Sequence, residues 1–579
     1  MKKLLFIAII ATTGLSSCSK EFLDRSPEAN ISPDATFKTV KDLELYTNSF
    51  YTAFPSAEGV YNEGIDNIVK TTLEDAVSGK RLVPTTGGGW SWGELRNINF
   101  FLENCYNNLS EKDANPHAAV ARFFRAYFYF DKLKQFGDVP WYGKTFDQYD
   151  EEQLMKPRDP RKLIVDSILV DLDFAIANAT DGKSDERVTK WTALALKSRV
   201  ALFEGTFRKY HSNLNLPDAN KLLEESAAAS LELINSGQYD LYKGAGVNSY
   251  GALFSSVNAI GQEVILARKF SDALQIWHNV NYYTITASYG KPGLEKTLVN
   301  SYLMKDGTRF TDKAGYDKLT FVEEVKNRDP RLSQTIRTPG YTRIGGAAPI
   351  APNFGNSTTG YQLIKFVGDM KYDNFNRSEN DMPVFRYAEV LLNYAEAKAE
   401  LGTLTQVDLD LSINKIRARV EMPNLILATA NASPDAYQAA FYPNVSGGFK
   451  GAILEIRRER RIELVMESFR WDDIMRWKSG QILTRQFKGM YFPSVGKFDL
   501  DGDGKEDVWI YEGTKPTAPG MQILKLGSEI LLENGKSGNV IINAHISKVF
   551  DEDKDYLYPI PTNELNLNEN LVQNPKWDN

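Results

Sequence analysis

Four aspartates near the C-terminal end of the chain have the spacing of oxygen ligands around a cation. Asp499, Asp501, Asp503 and Asp507 lie in FDLDGDGKEDVWI, where Gly504 allows the sharp turn that such a loop needs. Carboxylates this close together repel one another unless a cation neutralises them. The bidentate glutamate of a helix-loop-helix calcium site is absent, because isoleucine stands at the twelfth position. The spacing therefore predicts a structural calcium site of the kind found between strands, with a solvated acidic turn as the alternative.

A second motif could carry nucleophilic chemistry. Residues 89–93, Gly-Trp-Ser-Trp-Gly, fit G-x-S-x-G, the turn that exposes a catalytic serine. That chemistry needs alternating strands and helices and a histidine later in the chain, and none of the 4 histidines has a recognisable setting. The motif instead predicts a glycine-hinged loop that presents Trp90 and Trp92.

Paired carboxylates could also serve as the acid and base of a glycoside hydrolase. Residues 451–480 hold a column of glutamates at a spacing of four, interleaved with arginines. Interleaved arginines keep carboxylates ionised, which is the wrong state for a general acid. We therefore interpret the column, which comprises Glu455, Glu459, Glu463 and Glu467, as structural. The arginines that can neutralise it, at spacings of three or from a facing helix, are Arg457, Arg458, Arg460, Arg461 and Arg470.

Aromatic residues recur in stretches that are rich in glycine or proline or lack a regular pattern. Such rings can stack on the apolar faces of sugars, while nearby polar side chains bond the hydroxyl groups. Packing beneath a loop is the alternative for each ring. No catalytic residue is predicted, and the predicted ligand-binding residues are Trp90, Trp92, Trp277, Tyr283 and Tyr289.

The element that must organise the scaffold is a helical pattern from Pro116 to Phe136, with almost no polar circumference. Pro116 suits a first helical turn, and Gly137 followed by Pro140 marks the end. A helix that is apolar nearly all round must be covered on both sides by other helices. The sequence therefore predicts layers of helices around this segment.

Further helical patterns follow one another at short intervals, as in tetratricopeptide-like helix pairs. They cover residues 34–54, 94–109, 161–179, 189–207, 218–236, 382–401, 408–419 and 451–477. Residues 237–381 lack regular periodicity, and a long segment of this kind is usually functional surface. The predicted fold class is mainly α: a tetratricopeptide-like, α-α superhelical scaffold that carries a large loop-rich ligand-binding face and few short strands.

The N-terminus predicts a location. Lys2 and Lys3 precede the apolar run 4–10, which has the flanks of a signal peptide and is too short to span a bilayer. Leu-Ser-Ser-Cys at 15–18 resembles the lipobox of bacterial lipoproteins, in which Cys18 would be lipidated and become the first residue. Its acyl chains would then anchor the protein in a membrane. An ordinary secretory signal followed by a chance cysteine is the alternative.

Composition indicates a folded protein with a large core. The 579 residues are 42% hydrophobic and 12% aromatic, and a formal net charge of -7 makes nucleic acid a poor candidate for a partner. We predict a signal peptide at 1–17, a lipidated tether at 18–33 and a single domain at 34–579. Within this domain, helical repeats at about 34–236 and 382–480 flank a loop-rich insert at about 237–381, and C-terminal loops follow at 481–579.

Together these features resemble the SusD/RagB family of outer-membrane nutrient-binding lipoproteins of Bacteroidetes. The likeness extends over essentially the whole chain, because Cys18 is followed by an acidic tether and residues 121–140, ARFFRAYFYFDKLKQFGDVP, look like the family's central helix. The other matching stretches are 189–202, NRDPR at 327–331, 387–402, 458–477 and the tail from YPIP at 558–561 to Asn574-Pro.

The resemblance implies a single domain of four tetratricopeptide-like helix pairs with no catalytic residue. It also implies a surface-exposed protein of the cell outer membrane, anchored by lipid on Cys18. Such a protein would capture a glycan and act as the lid of a TonB-dependent channel of the SusC type. The identity of the glycan is not implied. A surface glycoside hydrolase and a purely structural helical-repeat scaffold are the alternatives.

Overall fold

Helices dominate the fold, as the sequence predicts. The computed structural model describes residues 37–61 and 65–578. It is 43% helix and 10% strand, which confirms the mainly α class. The helices of six or more residues are α1 Val40–Asn48, α2 Gly93–Asn104, α3 Glu111–Phe136, α4 Arg161–Asn178, α5 Lys190–Tyr210, α6 Ala219–Asn235, α7 Ser249–Ser255, α8 Val280–Ile285, α9 Lys296–Ser301, α10 Tyr387–Glu400, α11 Gln406–Leu411, α12 Ile413–Arg419, α13 Leu427–Ala432, α14 Lys450–Glu463, α15 Arg470–Arg476 and α16 Thr562–Leu567.

The strands are short and form small separate sheets. β1 pairs with β3, β2 with β4 and β5 with β9, all antiparallel, while β7 lies between an antiparallel β6 and a parallel β8. The strands are β1 Ile68–Val69, β2 Val264–Arg268, β3 Gly293–Leu294, β4 Met382–Arg386, β5 Phe487–Phe492, β6 Gly496–Phe498, β7 Val508–Tyr511, β8 Gln522–Lys525 and β9 Gly538–Ile542.

The long helices pack in chain order. Helix α3 packs against α4, α4 against α5 and α5 against α6, and α6 then meets α10, which contacts α14. This succession of neighbours is the tetratricopeptide-like arrangement that the sequence predicts. Between the two helical segments, Arg268 at the end of β2 pairs with Met382 at the start of β4. The loop-rich insert therefore leaves the scaffold and returns to it at the same place.

Buried apolar side chains form two cores. The first lies among the long helices and includes Phe123 of α3, Leu194 of α5 and Leu391 of α10, all at most 2% exposed. The second lies beneath the insert and the C-terminal strands and includes Tyr250, Tyr361 and Met490, none of them exposed. The helical core fixes the scaffold, and the second core fixes the loops that the scaffold carries.

The central helix α3 begins earlier than its proline suggests. The Ser110 side chain accepts a hydrogen bond from the backbone N–H of Asp113 and caps the helix, so Pro116 lies inside α3 and not in its first turn. Acidic residues in the first turn add stability at this end, because they oppose the helix dipole. The predicted end is confirmed: Gly137 adopts a φ of 74° directly after Phe136.

Three predicted helices differ from the observed elements. Residues 382–386 form β4, and α10 begins only at Tyr387. The pattern at 408–419 is divided at Ser412 into α11 and α12. The pattern at 451–477 is divided into two helices: α14 ends at Glu463, and α15 begins at Arg470. In the last case, Tyr250 and Arg386 donate hydrogen bonds to the carbonyl of Glu463, so side chains satisfy a helix end that water would otherwise have to solvate.

The N-terminal predictions fall outside the described residues. Cys18, the signal peptide and the tether belong to residues 1–36, and the first described helix is capped by Thr39 together with Asp42. Within 37–61 and 65–578, no helix has both the length and the apolar character needed to cross a membrane.

Candidate functional site

The predicted glycine-hinged loop is present, and three consecutive glycines shape it. Gly87, Gly88 and Gly89 have φ of 75°, 55° and 88°, a region that residues with side chains rarely adopt. A Cβ on Gly88 would lie 2.6 Å from the ring of Pro84, so the close approach also requires glycine. The loop is fixed to α3, because Lys132 Nζ donates a hydrogen bond to the carbonyl of Gly89. We call residues 84–93 the glycine–tryptophan loop.

The two tryptophans of this loop have different surroundings. Trp90 is 6% exposed and packs edge-on against Phe136, with ring centroids 4.9 Å apart. Trp92 is half-buried, edge-on to Trp90 at 5.4 Å and to Tyr142 at 5.4 Å. A ligand could therefore reach much more of Trp92 than of Trp90, whose ring mainly packs on the central helix.

Both tryptophans line a groove with a volume of about 810 Å³, which we call the tryptophan groove. Volumes of this size are typical of small-molecule sites. Its walls come from the glycine–tryptophan loop, the first turns of α2, the segment 140–155 and the C-terminal helix α16. Apolar side chains alternate there with polar ones; the lining comprises Trp90, Trp92, Gly93, Leu95, Arg96, Asn99, Pro140, Tyr142, Lys144, Thr145, Phe146, Glu151, Leu154, Met155, Glu564, Leu567, Asn568 and Leu571.

The serine between the two tryptophans has no histidine in this groove. Ser91 is exposed, and none of the lining residues is a histidine. His211 is buried, with Nε2 2.8 Å from the carbonyl oxygen of Met475. His278 is buried beside the carbonyl of Asn380. The histidine that the G-x-S-x-G chemistry requires is therefore absent from the lining of this groove.

Two of the predicted tyrosines form a second aromatic surface in the insert. The rings of Tyr283 and Tyr289 stack with centroids 4.7 Å apart and planes inclined by 25°. Tyr282 lies edge-on to Phe375 at 5.6 Å, and Phe375 is 54% exposed. We call these four residues the tyrosine patch. Phe375 is not among the predicted ligand residues, although a single apolar ring in the polar stretch YDNFNRSEN could have indicated it.

Trp277 lies on the segment that leads into this patch. Its Nε1 donates a hydrogen bond to Asp272 Oδ1 at 2.8 Å, and the guanidinium of Arg377 lies 5.4 Å from its ring centroid. The backbone of Asn376 donates to the side chain of Asn279 at 2.7 Å, and this bond ties the segments around Trp277 and Phe375 together. The insert therefore holds its aromatic rings by polar contacts between loops.

The structure divides the predicted ligand-binding residues between two surfaces. Trp90 and Trp92 belong to the tryptophan groove, whereas Trp277, Tyr283 and Tyr289 belong to the insert. No residue of the insert lines the groove. All five remain predictions for ligand contact.

The acidic loop brings three of its four aspartates together. Ligand oxygens of Asp499, Asp501 and Asp507 lie within 4.8 Å of one another. Asp503 is turned toward Lys505, whose Nζ lies 2.8 Å from its Oδ2. Burial, together with the charges of Asp501 and Asp499, raises the pKa of Asp507. A calcium ion would remove this repulsion, and the calcium site remains a prediction.

The glutamate column of α14 is neutralised by buried arginines, most of which come from elsewhere in the chain. Glu463 pairs with Arg386 at 2.8 Å and with Arg419 at 2.6 Å, and Arg331 adds a third contact at 3.1 Å. Among the ion pairs of the described residues, Arg458 is the arginine of α14 that pairs with the column, through Glu455 at 2.8 Å. The other arginines predicted to neutralise the column bind different acids: Arg457 binds Glu400, Arg460 binds Asp473, and Arg461 and Arg470 bind Asp66.

These contacts keep Glu459 and Glu463 ionised in the interior, whereas burial raises the pKa of Glu455. Burial alone would raise the pKa of Glu463, but the charges of Arg419, Arg386 and Arg331 outweigh burial and hold this pKa well below its usual range. A carboxyl group in this state cannot donate a proton as a general acid does. The structural interpretation of the column therefore agrees with its geometry.

Curated relatives of this chain are SusD-like proteins. SusD-like protein P38 of Formosa agariphila is 23% identical over 496 residues, which cover 81% of this chain and 90% of that protein. A SusD-like protein of Bacteroides ovatus is 24% identical over 552 residues, which cover 86% of this chain and 89% of that protein.

Solved structures share the fold. A SusD-like protein of Bacteroides fragilis has a TM-score of 0.70 at 21% identity, over 95% of this chain and 100% of that one. A SusD-like carbohydrate-binding protein of the same species has a TM-score of 0.66 at 22% identity, over 92% and 99% of the two chains. The model of the SusD family matches residues 262–577, more than half of the sequence. The chain therefore belongs to the SusD family.

Proposed function

We propose that this protein binds carbohydrate and does not transform it. The observation that carries the proposal is the set of half-exposed aromatic rings held on rigid loops, at Trp92 and at the tyrosine patch. Sugars are heavily hydrated, so polar contacts mainly exchange one hydrogen bond for another and contribute little net free energy. Packing the apolar face of a sugar against a preformed ring removes apolar surface from water, and no lost hydrogen bond offsets that gain in free energy. A structural neighbour described as a carbohydrate-binding protein supports this reading.

Calorimetry against a panel of oligosaccharides tests the proposal. We expect truncation of the ring that holds the sugar, Trp92 in the tryptophan groove or Tyr283 in the tyrosine patch, to weaken binding by about thirtyfold, because truncating an aromatic anchor costs on the order of 2 kcal/mol. Trp277→Ala and Tyr289→Ala extend the test to the other predicted rings. Trp509→Ala is the matched control, since this half-buried tryptophan lies in β7, outside both surfaces.

Two results would contradict carbohydrate binding: no oligosaccharide binds, or one binds and none of the ring variants weakens it. The shortened products expected of a glycoside hydrolase would appear after long incubation, and their appearance would favour that alternative. A structural scaffold would show neither retention nor cleavage of the oligosaccharide.

We further propose that the protein is a lipoprotein of the cell outer membrane. The lipobox-like sequence ending at Cys18 and the family resemblance support this location. Because lipidation needs the thiol, Cys18→Ser should release the protein from the membrane fraction while its thermal unfolding stays unchanged. Cys105→Ser is the control, because Cys105 is buried and should have no role in anchoring. Continued sedimentation of the Cys18 variant with membranes would contradict lipid anchoring.

The family resemblance also supports a role as the lid of a SusC-like, TonB-dependent channel. In this proposal the protein contacts the channel through a wide surface of the helical layer, and its sugar-binding surface, turned inward, holds the glycan to be imported. Gentle detergent extraction followed by capture of this protein should recover such a channel with it. Recovery of this protein alone, under conditions that preserve other outer-membrane complexes, would count against the lid.

A further inference from the structure

A second cavity lies on the other side of the glycine–tryptophan loop. It has a volume of about 520 Å³, and Gly88 and Gly89 form part of its wall, whereas Trp90 and Trp92 line the tryptophan groove. We call this second cavity the polar cleft. Its lining comprises Asp75, Arg81, Leu82, Pro84, Gly88, Gly89, Asp131, Lys134, Gln135, Trp471, Asp472, Tyr558 and Pro559.

The polar cleft contains two half-buried aromatic rings beside a buried cation. Trp471 and Tyr558 have ring centroids 6.4 Å apart, with planes inclined by 70°. The guanidinium of Arg81 lies 4.5 Å from the Tyr558 centroid, and the Arg81 side chain is 8% exposed. Its Nη2 donates to Asp555, but Nε and Nη1 find no acceptor among the described residues. Apolar ring surface and unused donors therefore occur together at this cavity.

The same cleft offers alternating donors and acceptors. Lys134 Nζ lies 2.9 Å from Asp472 and 3.8 Å from Asp131, and Gln135 donates to Asp131 at 2.7 Å. The Asp131 side chain is 52% exposed and that of Asp472 is 26% exposed, so both carboxylates can reach a ligand. Each sugar hydroxyl can donate one hydrogen bond and accept others. A carboxylate beside an ammonium and an amide suits neighbouring hydroxyls on one sugar.

The groove and the cleft share two walls. One is the glycine–tryptophan loop, and the other is the C-terminal segment 558–571, which contributes residues to both cavities. The two walls are bonded to each other: the backbone of Thr562 donates to Pro84 at 3.0 Å, and that of Asn563 donates to Thr85 at 3.1 Å. At Gly87 a Cβ would meet no atom of residues 37–61 or 65–578 within 4 Å, so the crest of the loop is open with respect to this part of the chain. A chain-like ligand could cross the loop at its glycines.

The charges of the two cavities do not favour an anionic ligand. The lining of the polar cleft contains two cations, Arg81 and Lys134, and three carboxylates, Asp75, Asp131 and Asp472. The lining of the tryptophan groove contains two cations, Arg96 and Lys144, and two carboxylates, Glu151 and Glu564. A uronate or sulfate group would therefore meet no excess of positive charge in either cavity.

From these contacts we infer that the ligand is an uncharged oligosaccharide that lies across the glycine–tryptophan loop. Consecutive sugars occupy the tryptophan groove, beside Trp92, and the polar cleft, beside Trp471 and Tyr558. The inference rests on the proposed carbohydrate binding and adds the second half of the site and the class of sugar.

Binding as a function of oligosaccharide length tests the inference. For neutral oligosaccharides from two to six sugars, we expect wild-type affinity to rise by about tenfold or more once the chain reaches both cavities. Trp471→Ala and Asp472→Asn should abolish this rise while affinity for the shortest binding oligosaccharide is kept. Trp92→Ala should weaken every length. Uronic-acid and sulfated oligosaccharides of equal length should bind at least tenfold more weakly than neutral ones.

The outcomes separate this inference from the proposed function. If Trp92→Ala weakens binding but neither cleft variant changes the length dependence, the polar cleft is not part of the site and carbohydrate binding stands. Tighter binding of acidic oligosaccharides would overturn the uncharged class alone. If the wild-type protein binds no oligosaccharide, the inference and the proposed function both fail. Asp472→Asn preserves side-chain size, and its thermal unfolding curve shows whether the fold is intact.

Discussion

At the scale of single residues, the protein interior contains buried charged side chains that are paired with opposite charges. Glu463 and Arg419 are fully buried, and each has more than one opposite charge within hydrogen-bonding distance. Such a pair contributes little compared with apolar residues of the same size, because desolvation offsets the attraction. Removing one member is different, because the remaining charge stays buried without compensation.

Glu463→Gln should therefore destabilise the protein strongly. The substitution preserves side-chain size but leaves Arg386 and Arg419 with less negative charge, and we expect a loss of about 3–5 kcal/mol in the free energy of unfolding. Denaturant titration measures the loss. Glu44→Gln, which disrupts an exposed pair with Lys41, is the control and should have no measurable effect. Equal stabilities for the two variants would contradict this role for Glu463.

His211 predicts a separate effect of pH on stability. Burial lowers its pKa to about 4, and its ring stacks on Phe207 with centroids 4.0 Å apart. The unfolded chain takes up the proton near the ordinary value of 6.5, so the folded state loses stability as the pH falls from 6.5 to 4. His211→Gln should reduce the change in the free energy of unfolding between these two pH values by on the order of 2 kcal/mol. An unchanged pH profile would show that His211 does not titrate in this way.

At the scale of elements, the glycine–tryptophan loop decides the geometry of the site. It separates the tryptophan groove from the polar cleft, and it is bonded to α3 through Lys132 and to the C-terminal segment through Thr562 and Asn563. Trp92 gains a fixed orientation because the backbone beneath it is held on two sides. A fixed ring loses little conformational freedom on binding, which favours affinity.

Gly88→Ala and Gly237→Ala form a matched pair that tests this loop. Both positions have positive φ, so either substitution costs about 1 kcal/mol in backbone strain. At position 88 the new Cβ would meet Pro84 at 2.6 Å, whereas at position 237, outside both cavities, it would meet no described atom within 4 Å. We expect Gly88→Ala to weaken oligosaccharide binding by about tenfold and Gly237→Ala to leave it within about twofold, because misplacing the loop misplaces Trp92. Equal effects on affinity would show that the position of the loop does not matter.

The acidic loop between β6 and β7 is the other element with a testable ligand. If Asp499, Asp501 and Asp507 hold calcium, stability should rise by about 2.7 kcal/mol at a calcium concentration one hundred times the Kd. Removal of calcium with a chelator should lower the Tm correspondingly. Asp507→Asn should abolish this dependence, whereas Asp503→Asn should keep it, since Asp503 is turned toward Lys505. A Tm that does not respond to chelator or to millimolar calcium would leave only a solvated acidic turn.

Across the whole molecule, periodicity predicted the helices better than it predicted their ends. The apolar spacing of α3 identified its C-terminal end and its central place, but Pro116 suggested a start that the Ser110 cap overrides. The break after Glu463 could not be read from its sequence, because the donors that satisfy this helix end come from Tyr250 and Arg386, more than seventy residues away. Local patterns describe local bonds and miss those made by distant residues.

The same limit applies to the candidate site. The sequence indicated that Trp90 and Trp92 lie on a glycine-rich loop, but the two rings differ in exposure because one packs on Phe136. The polar cleft draws on residues as far apart as Asp75, Lys134 and Tyr558, so no short motif could have predicted it. Ring type and loop context are readable from a sequence, whereas the grouping of distant residues depends on the fold.

The pairing of β2 with β4 has a consequence for engineering. The insert departs and returns at neighbouring strand ends, a geometry that favours its exchange as a module. Yet it also supplies Arg331 and Lys365, which are 1% and 0% exposed and pair with Glu463 and Glu467 of the scaffold. A chimera that receives a foreign insert without these two cations would lose two of the buried charges that neutralise Glu463 and Glu467, while Arg386 and Arg419 would still compensate part of the negative charge. Transplanting the ligand-binding loops between relatives should therefore cost stability unless the donor insert carries both cations.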